Sequence, residues 1–187
     1  MTIANHRNPG DPDRRELVER VIRVDQAGEF GAVRIYQGQL AALRWTGRTN
    51  SEAGRKIAAM ARAEREHSQV FDRLIAERRV RPTVLSPIWS LAGFALGAAT
   101  ALMGDKAAMA CTVAIEETID EHYASQAAAL GDDEAELRAT VEKFRADELA
   151  HRDEALASGA EQAPGYGVMT AAIKAGSRLA IWLSTRV

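Results

Sequence analysis

The sequence predicts an all-α protein: a four-helix bundle made of two helix hairpins, joined by a hydrophobic crossover helix and followed by an amphipathic C-terminal helix. Three observations carry this reading. No stretch alternates apolar and polar residues as a half-buried strand does, while apolar residues recur at helical spacing over long segments. Clusters of turn-forming residues fall at the chain ends and at a few internal points only. The pattern Glu-x-x-His occurs twice, at Glu64–His67 and Glu148–His151, and a further glutamate precedes each, Glu29 by 35 residues and Glu116 by 32. A four-helix bundle holds two metal ions with this set: one Glu from each of two helices and one Glu-x-x-His from each of the other two, all pointing inward.

Each element has its own signal. Residues 1–10, ending in Asn8-Pro9-Gly10, read as a flexible leader ahead of a single domain over 11–187. Asp11 or Asp13 caps a first helix that runs to about Trp45. Thr46 to Ser51 is a turn, and Ser51 caps a second helix from Glu52 to about Arg79. The crossover segment, Val84 to Gly104, carries no charged side chain. A third long helix covers about Asp105 to Leu130. Gly131-Asp132-Asp133 breaks it, and a fourth runs to about Ala157. From Gly167 to Val187, Met169, Ile173, Gly176, Leu179 and Leu183 recur at helical spacing, with Lys174, Arg178 and Arg186 among the polar positions.

Composition narrows the classes of function. The 187 residues suffice for one domain with a substantial core, and 47% of them are hydrophobic, which argues against disorder. A net charge of −2 gives no reason to expect a nucleic-acid partner. The single cysteine, Cys111, excludes an internal disulfide and a thiolate cluster, and its apolar neighbours make it a packed core thiol. The N-terminus has neither the apolar core of a secretory signal nor the basic composition of an organellar transit peptide, so a bacterial cytoplasmic location is the simplest expectation.

The six candidate ligands suit a particular chemistry. Residues i and i+3 share a helix face, so Glu64 with His67, and Glu148 with His151, can each bind one metal as a pair, or the glutamates can bridge while the histidines ligate terminally. Glu29 and Glu116 complete four carboxylates and two imidazoles, a donor set that suits iron or manganese better than zinc or copper. Four negative charges balance two divalent ions. Metal-bound histidines pass their second N–H to a carboxylate, and Asp25 and Asp147 stand where they can serve the two histidines. By position alone, His122 faces solvent, and the ring of Tyr123 belongs to the core. His6 lies in the leader, outside the site.

The stretches RVDQAGEFGAVRIYQGQL, AMACTVAIEETIDEHYASQ and KFRADELAHRDEA, together with APGYGVMTAAIKAGSRLAIWLSTR at the end, resemble the demethoxyubiquinol hydroxylases of ubiquinone biosynthesis. The resemblance runs from about Arg23 to the C-terminus. It implies a ferritin-like bundle and a carboxylate-bridged di-iron centre, whose ligands fall on Glu29, Glu64, His67, Glu116, Glu148 and His151. It implies that dioxygen hydroxylates the ring of a polyprenylated demethoxyquinol, with NADH as ultimate reductant. It places His122 and Tyr123 beside the site in a catalytic role. It also implies a lipid-binding accessory protein in some relatives.

A prenylated quinol resides in the bilayer, so the protein must reach it there. Val84–Gly104 is long enough to span, but a single pass would put the two halves of the site on opposite sides of the membrane. The segment is therefore expected to lie in the interface as a membrane-facing helix lining a channel to the irons. The expected location is the cytoplasmic side of the cell (inner) membrane, as a peripheral protein. Exposed apolar surface of this kind also invites a homo-oligomer. A ferritin-like iron-handling or peroxide-reducing protein uses the same six ligands without an organic substrate, but it has no need of an apolar doorway. A helical surface protein without metal would instead scatter its carboxylates around the helices.

Overall fold

The computed structural model describes residues 12–187; the expected leader, with His6, lies outside them. Six helices follow one another: α1 (Arg14–Trp45), α2 (Glu52–Arg78), α3 (Ser86–Met103), α4 (Asp105–Ala129), α5 (Ala135–Ala157) and α6 (Tyr166–Ser184). No strand occurs among the described residues, so the all-α class holds.

Local chemistry sets the boundaries. The Asp13 side chain accepts from the Glu16 amide at 2.7 Å and starts α1. Ser51 does the same for α2 from the Gly54 amide at 3.0 Å. Helix α2 ends on Arg79 in the left-handed conformation, φ 53°. Between α3 and α4 stands Gly104 alone, at φ 127°, a conformation that a side chain strongly disfavours. The expected ends of the first five helices lie within a residue or two of the observed ones, the spread that fraying alone produces, and α6 stops three residues before the expected Val187.

Helices α1 and α2 form one hairpin, and α4 and α5 the other. Two apolar clusters close the bundle at its ends. One gathers Leu43, Ile57, Met60, Met109 and Val113. The other gathers Ile22, Phe71, Leu137, Val141 and Phe144. The four glutamates lie between them, each 1% exposed or less.

Helix α3 has two unlike sides. One side packs on α1 and buries Gly93, Gly97, Thr100 and Ala101. The helices meet at backbone distance: a Cβ on Gly97 would overlap the Ile35 carbonyl, and one on Gly38 would overlap the Phe94 carbonyl. The other side leaves Ile88, Leu91, Leu102 and Met103 exposed. The crossover is thus a packed element with an outward apolar face. On α6, Val168, Leu179 and Trp182 are exposed as well. Ion pairs of Lys174 with Glu117 and of Arg178 with Glu121 tie α6 to α4.

Candidate metal centre

Helices α1, α2, α4 and α5 each bring one glutamate to the middle of the bundle, and α2 and α5 each add a histidine. Donor atoms of Glu29, Glu64, His67 and Glu148 all lie within 4.8 Å of one another, and so do those of Glu64, Glu116, Glu148 and His151. Glu64 and Glu148 belong to both sets. Of the two arrangements the spacing allowed, this grouping favours the one that would share the glutamates of the Glu-x-x-His pairs and leave the histidines terminal.

The distances suit a cation. Nδ1 of His67 is 3.1 Å from Glu148 Oε1. Nδ1 of His151 is 3.2 Å from Glu148 Oε2 and 3.0 Å from Glu64 Oε1. Donor atoms bound at roughly 2.1 Å around one octahedral ion stand about 3 Å apart at right angles. Glu29 Oε2, Glu116 Oε2 and both oxygens of Glu64 are buried without a hydrogen-bond partner. The approach of His151 to Glu64 is therefore close without hydrogen-bond alignment. Buried carboxylate oxygens left this way are costly unless a cation satisfies them. The residues present fit a pair of divalent ions.

Neighbouring groups orient the ligands. Asp147 Oδ2 lies 3.2 Å from His67 Nε2 and accepts from Lys143 at 3.0 Å. The carboxylate turns Nδ1 of His67 toward the centre, as expected. The ring of His67 also stacks on Phe144 at 3.9 Å. Asp25 departs from expectation: it does not serve His151. Its Oδ1 instead accepts from Gln126 Nε2 at 2.7 Å and lies 3.5 Å from His122 Nε2. One turn before Glu29 on α1, Asp25 finds its partners on α4, whereas His151 stands on α5.

Tyr123 is both core and site: it is 2% exposed, and its hydroxyl donates to Glu29 Oε1. His122 does not join the ligand cluster. It is partly exposed and lines a surface groove with Glu121, Arg178, Trp182 and Arg186. One residue escaped the sequence reading. The Tyr36 hydroxyl donates to Glu116 Oε1 at 2.7 Å, mirroring Tyr123 on Glu29. A signal for it exists: Tyr36 and Gln39 stand seven and ten residues after Glu29, as Tyr123 and Gln126 stand after Glu116. Each first helix of a hairpin thus sends a tyrosine to the other's glutamate.

Protons balance the charge when metal is absent. Burial, with repulsion from the neighbouring carboxylates, pushes Glu29 and Glu116 well above the usual carboxylate range. Burial and Glu148 raise Glu64 as well. Burial acts to raise Glu148 too, but hydrogen bonds from His151 and His67 outweigh it and hold it at about 2. Burial acts to lower His151, but Glu148 and Glu64 lift it to about 10; His67 is raised for the same kind of reason.

The sign for stability follows. Raised carboxyl groups bind protons in the folded state that the unfolded chain has released, so their contribution falls as pH rises above the ordinary carboxylate value. The raised histidines contribute fully below their ordinary value, and lose that contribution as pH climbs through their folded values. Glu148 opposes this only below its ordinary value, in acid. The metal-free protein should melt at progressively lower temperature from about pH 5 to about pH 9, and saturating Mn²⁺ should reverse much of the loss. Thermal melts followed by circular dichroism check this; a flat or rising metal-free series contradicts it.

A cavity of about 550 Å³ lies between α1, α3, α4 and α6. Its walls are almost wholly apolar. They include Gly28, Gly31 and Ala32 around Glu29, Ile115 next to Glu116, Leu96 on α3 and Ile173 on α6. Trp89 Nε1 donates to Ser184 Oγ at 2.9 Å and fastens α3 to α6 along one edge.

A helical bundle with four carboxylates and two imidazoles gathered at its middle defines a class, that of bundle proteins built round a carboxylate–histidine cluster. The family described as "Ubiquinone biosynthesis protein COQ7" matches residues 16–184. The chain is 58% identical over 184 residues to a 3-demethoxyubiquinol 3-hydroxylase of Rhodospirillum rubrum, covering 98% of this chain and 85% of the relative. It is 49% identical over 177 residues to the human "NADPH-dependent 3-demethoxyubiquinone 3-hydroxylase, mitochondrial", covering 92% and 79%. With the "5-demethoxyubiquinone hydroxylase, mitochondrial" of Saccharomyces cerevisiae it shares 38% over 186 residues, covering 91% and 78%. The chain belongs to the COQ7 family of ubiquinone biosynthesis proteins and, like these relatives, is a hydroxylase.

Proposed function

We propose that the protein is a di-iron monooxygenase that hydroxylates the ring of a polyprenylated demethoxyubiquinol with dioxygen. Glu29 and His67 would hold one iron and Glu116 and His151 the other, with Glu64 and Glu148 belonging to both positions. Two irons so held supply the redox chemistry that activates dioxygen. Reduced nicotinamide is the ultimate reductant: NADH was the expectation, and the name of the human relative specifies NADPH.

The observation that carries this reading is the apolar cavity against α1 and α4. Its walls come from the stretches of α1 and α4 that carry Glu29 and Glu116 in sequence, its glycines and alanines leave room for a flat ring, and its hydrocarbon surface suits a prenyl tail. Iron handling alone has no use for such a space. His122 and Tyr123 flank the Glu29 side, where the family resemblance gives them a catalytic role. In a strain lacking the protein, the demethoxy precursor should accumulate; the wild-type gene should clear it and the Glu64→Ala variant should not. An unchanged quinone pool in that strain removes the assignment.

The protein reaches its substrate as a peripheral protein of the cytoplasmic side of the inner membrane. The exposed apolar residues of α3 and α6 flank the cavity, and Arg186 supplies a cation beside Trp182. The same face is where a second copy or a lipid-binding accessory protein docks. Leu91→Glu combined with Leu179→Glu should abolish binding to anionic liposomes while the melting temperature stays within a few degrees, since both side chains are exposed. Persistent liposome binding contradicts the membrane reading.

A further inference from the structure

The repeat that matches Tyr36 with Tyr123 and Gln39 with Gln126 breaks at two places. Four residues before Glu29 stands Asp25, but four before Glu116 stands Thr112; six after Glu29 stands Ile35, but six after Glu116 stands His122. The two polar replacements meet in space. Gln126 Nε2 donates to Asp25 Oδ1 at 2.7 Å and lies 2.9 Å from His122 Nε2, which is 3.5 Å from Asp25 Oδ1. In the other half, Gln39 Nε2 donates to the Ala108 carbonyl at 3.1 Å, and Ile35 faces the apolar cavity. One half is sealed by hydrocarbon. The other carries polar side chains from the interior to the surface groove at His122.

Asp25 is fully buried, and its Oδ2 and Gln126 Oε1 have no hydrogen-bond partner. Two proton counts satisfy the array. With Asp25 ionised, the Gln126 amide N–H₂ donates to Asp25 and to the lone pair of His122 Nε2. With the amide turned over, Gln126 Oε1 accepts from a protonated Asp25 and from His122 Nε2–H, and the array holds one proton more. Burial, which pushes the Asp25 carboxyl up against the pull of His122 and Gln126, keeps the protonated form within reach.

We propose that His122, Gln126 and Asp25 form a proton relay from the surface groove to the Glu29 side of the metal centre. The proposal rests on the hydroxylase reading. Hydroxylation inserts one atom of dioxygen into a ring C–H bond; the other becomes water, taking two electrons from the nicotinamide-derived reductant and two protons from solvent. From the second count, in which His122 carries its proton at Nε2, Asp25 first gives its own proton inward, and His122 then takes one from groove water at Nδ1 and yields its Nε2 proton to Asp25 Oδ1. Asp25 passes it inward, toward the Tyr123–Glu29 pair. The pairing of Ile35 with Thr112 gives the Glu116 side no such route.

The test compares wild type with Asp25→Asn, which keeps shape and hydrogen bonding but carries no proton, and with Gln126→Leu, which removes the linking amide. Both should load iron like wild type. Product formation should fall at least about tenfold, dioxygen uptake should fall less, the balance should leave as hydrogen peroxide, and the solvent deuterium isotope effect should rise. In the metal-free protein, the imidazole ¹⁵N signals of His122 should shift on Asp25→Asn. Wild-type coupling of dioxygen to product in both variants, or unmoved ¹⁵N signals, overturns the relay. If Asp25→Asn does not fold, Gln126→Leu decides. If the wild type itself makes no hydroxylated quinol, the hydroxylase reading fails, and the ¹⁵N shift alone then tests the array.

Discussion

Glu64→Ala should empty both metal positions, while Glu29→Ala or Glu116→Ala should each leave one occupied. Glu64 belongs to both four-residue sets, whereas Glu29 and Glu116 belong to one apiece. Activity should fall with the metal. Loss of a catalytic ion removes several kcal/mol of stabilisation, on the order of 10³-fold in rate. The fold should survive. Burial already opposes ionisation of Glu64, and His151 keeps its contact with Glu148 when Glu64 is gone. Anaerobic loading with ferrous iron, metal counting and a melting curve on the same samples check all three statements. Two irons retained in Glu64→Ala would show that the shared position is not a ligand.

The second large effect concerns the α1–α3 contact. Gly97→Ala sets a methyl group against the Ile35 carbonyl, and neither backbone can yield without moving a whole helix. Overpacking of this kind costs about 3 kcal/mol, which for a domain of this size lowers the melting temperature by about 6–12 °C. Because α3 walls the cavity, its displacement should also raise KM for the quinol. Gly176→Ala on α6 is the control. A Cβ there meets nothing within 4 Å, and alanine favours the helix, so stability should hold or rise slightly. Equal losses in both variants would mean that close approach is not what the glycine provides.

Much of this was legible in the chain, and the reasons differ from residue to residue. The carboxylate–histidine cluster was legible because a bundle converts sequence spacing into geometry. Glu29, Glu64, Glu116 and Glu148 sit near mid-helix, and the turns at Thr46–Ser51 and Gly131–Asp133 fix how the hairpins fold back. That Glu64 and Glu148 belong to both candidate groups was not legible. It depends on how deeply α2 and α5 press toward each other, which tertiary packing decides. Tyr36 was legible and overlooked, since its seven-residue offset from Glu29 repeats at Tyr123. The partner of Asp25 was hidden for another reason. Sequence places Asp25 one turn from Glu29, but only the rotation of α1 against α4 determines that it meets Gln126 and His122 rather than His151. Helix α3 was half legible. Its lack of charge announced an apolar role, yet the glycines that press it onto α1 are recognised only when Ile35 and Phe94 are seen opposite them.

The most direct test is iron X-ray absorption on anaerobically loaded wild-type protein, with the metal counted on the same sample. Two irons per chain, with an iron–iron scattering path at about 3.5–4 Å and a first shell of oxygen with some imidazole nitrogen, is the expected result. A single iron per chain, or two with no iron–iron path, contradicts a shared centre held by Glu64 and Glu148.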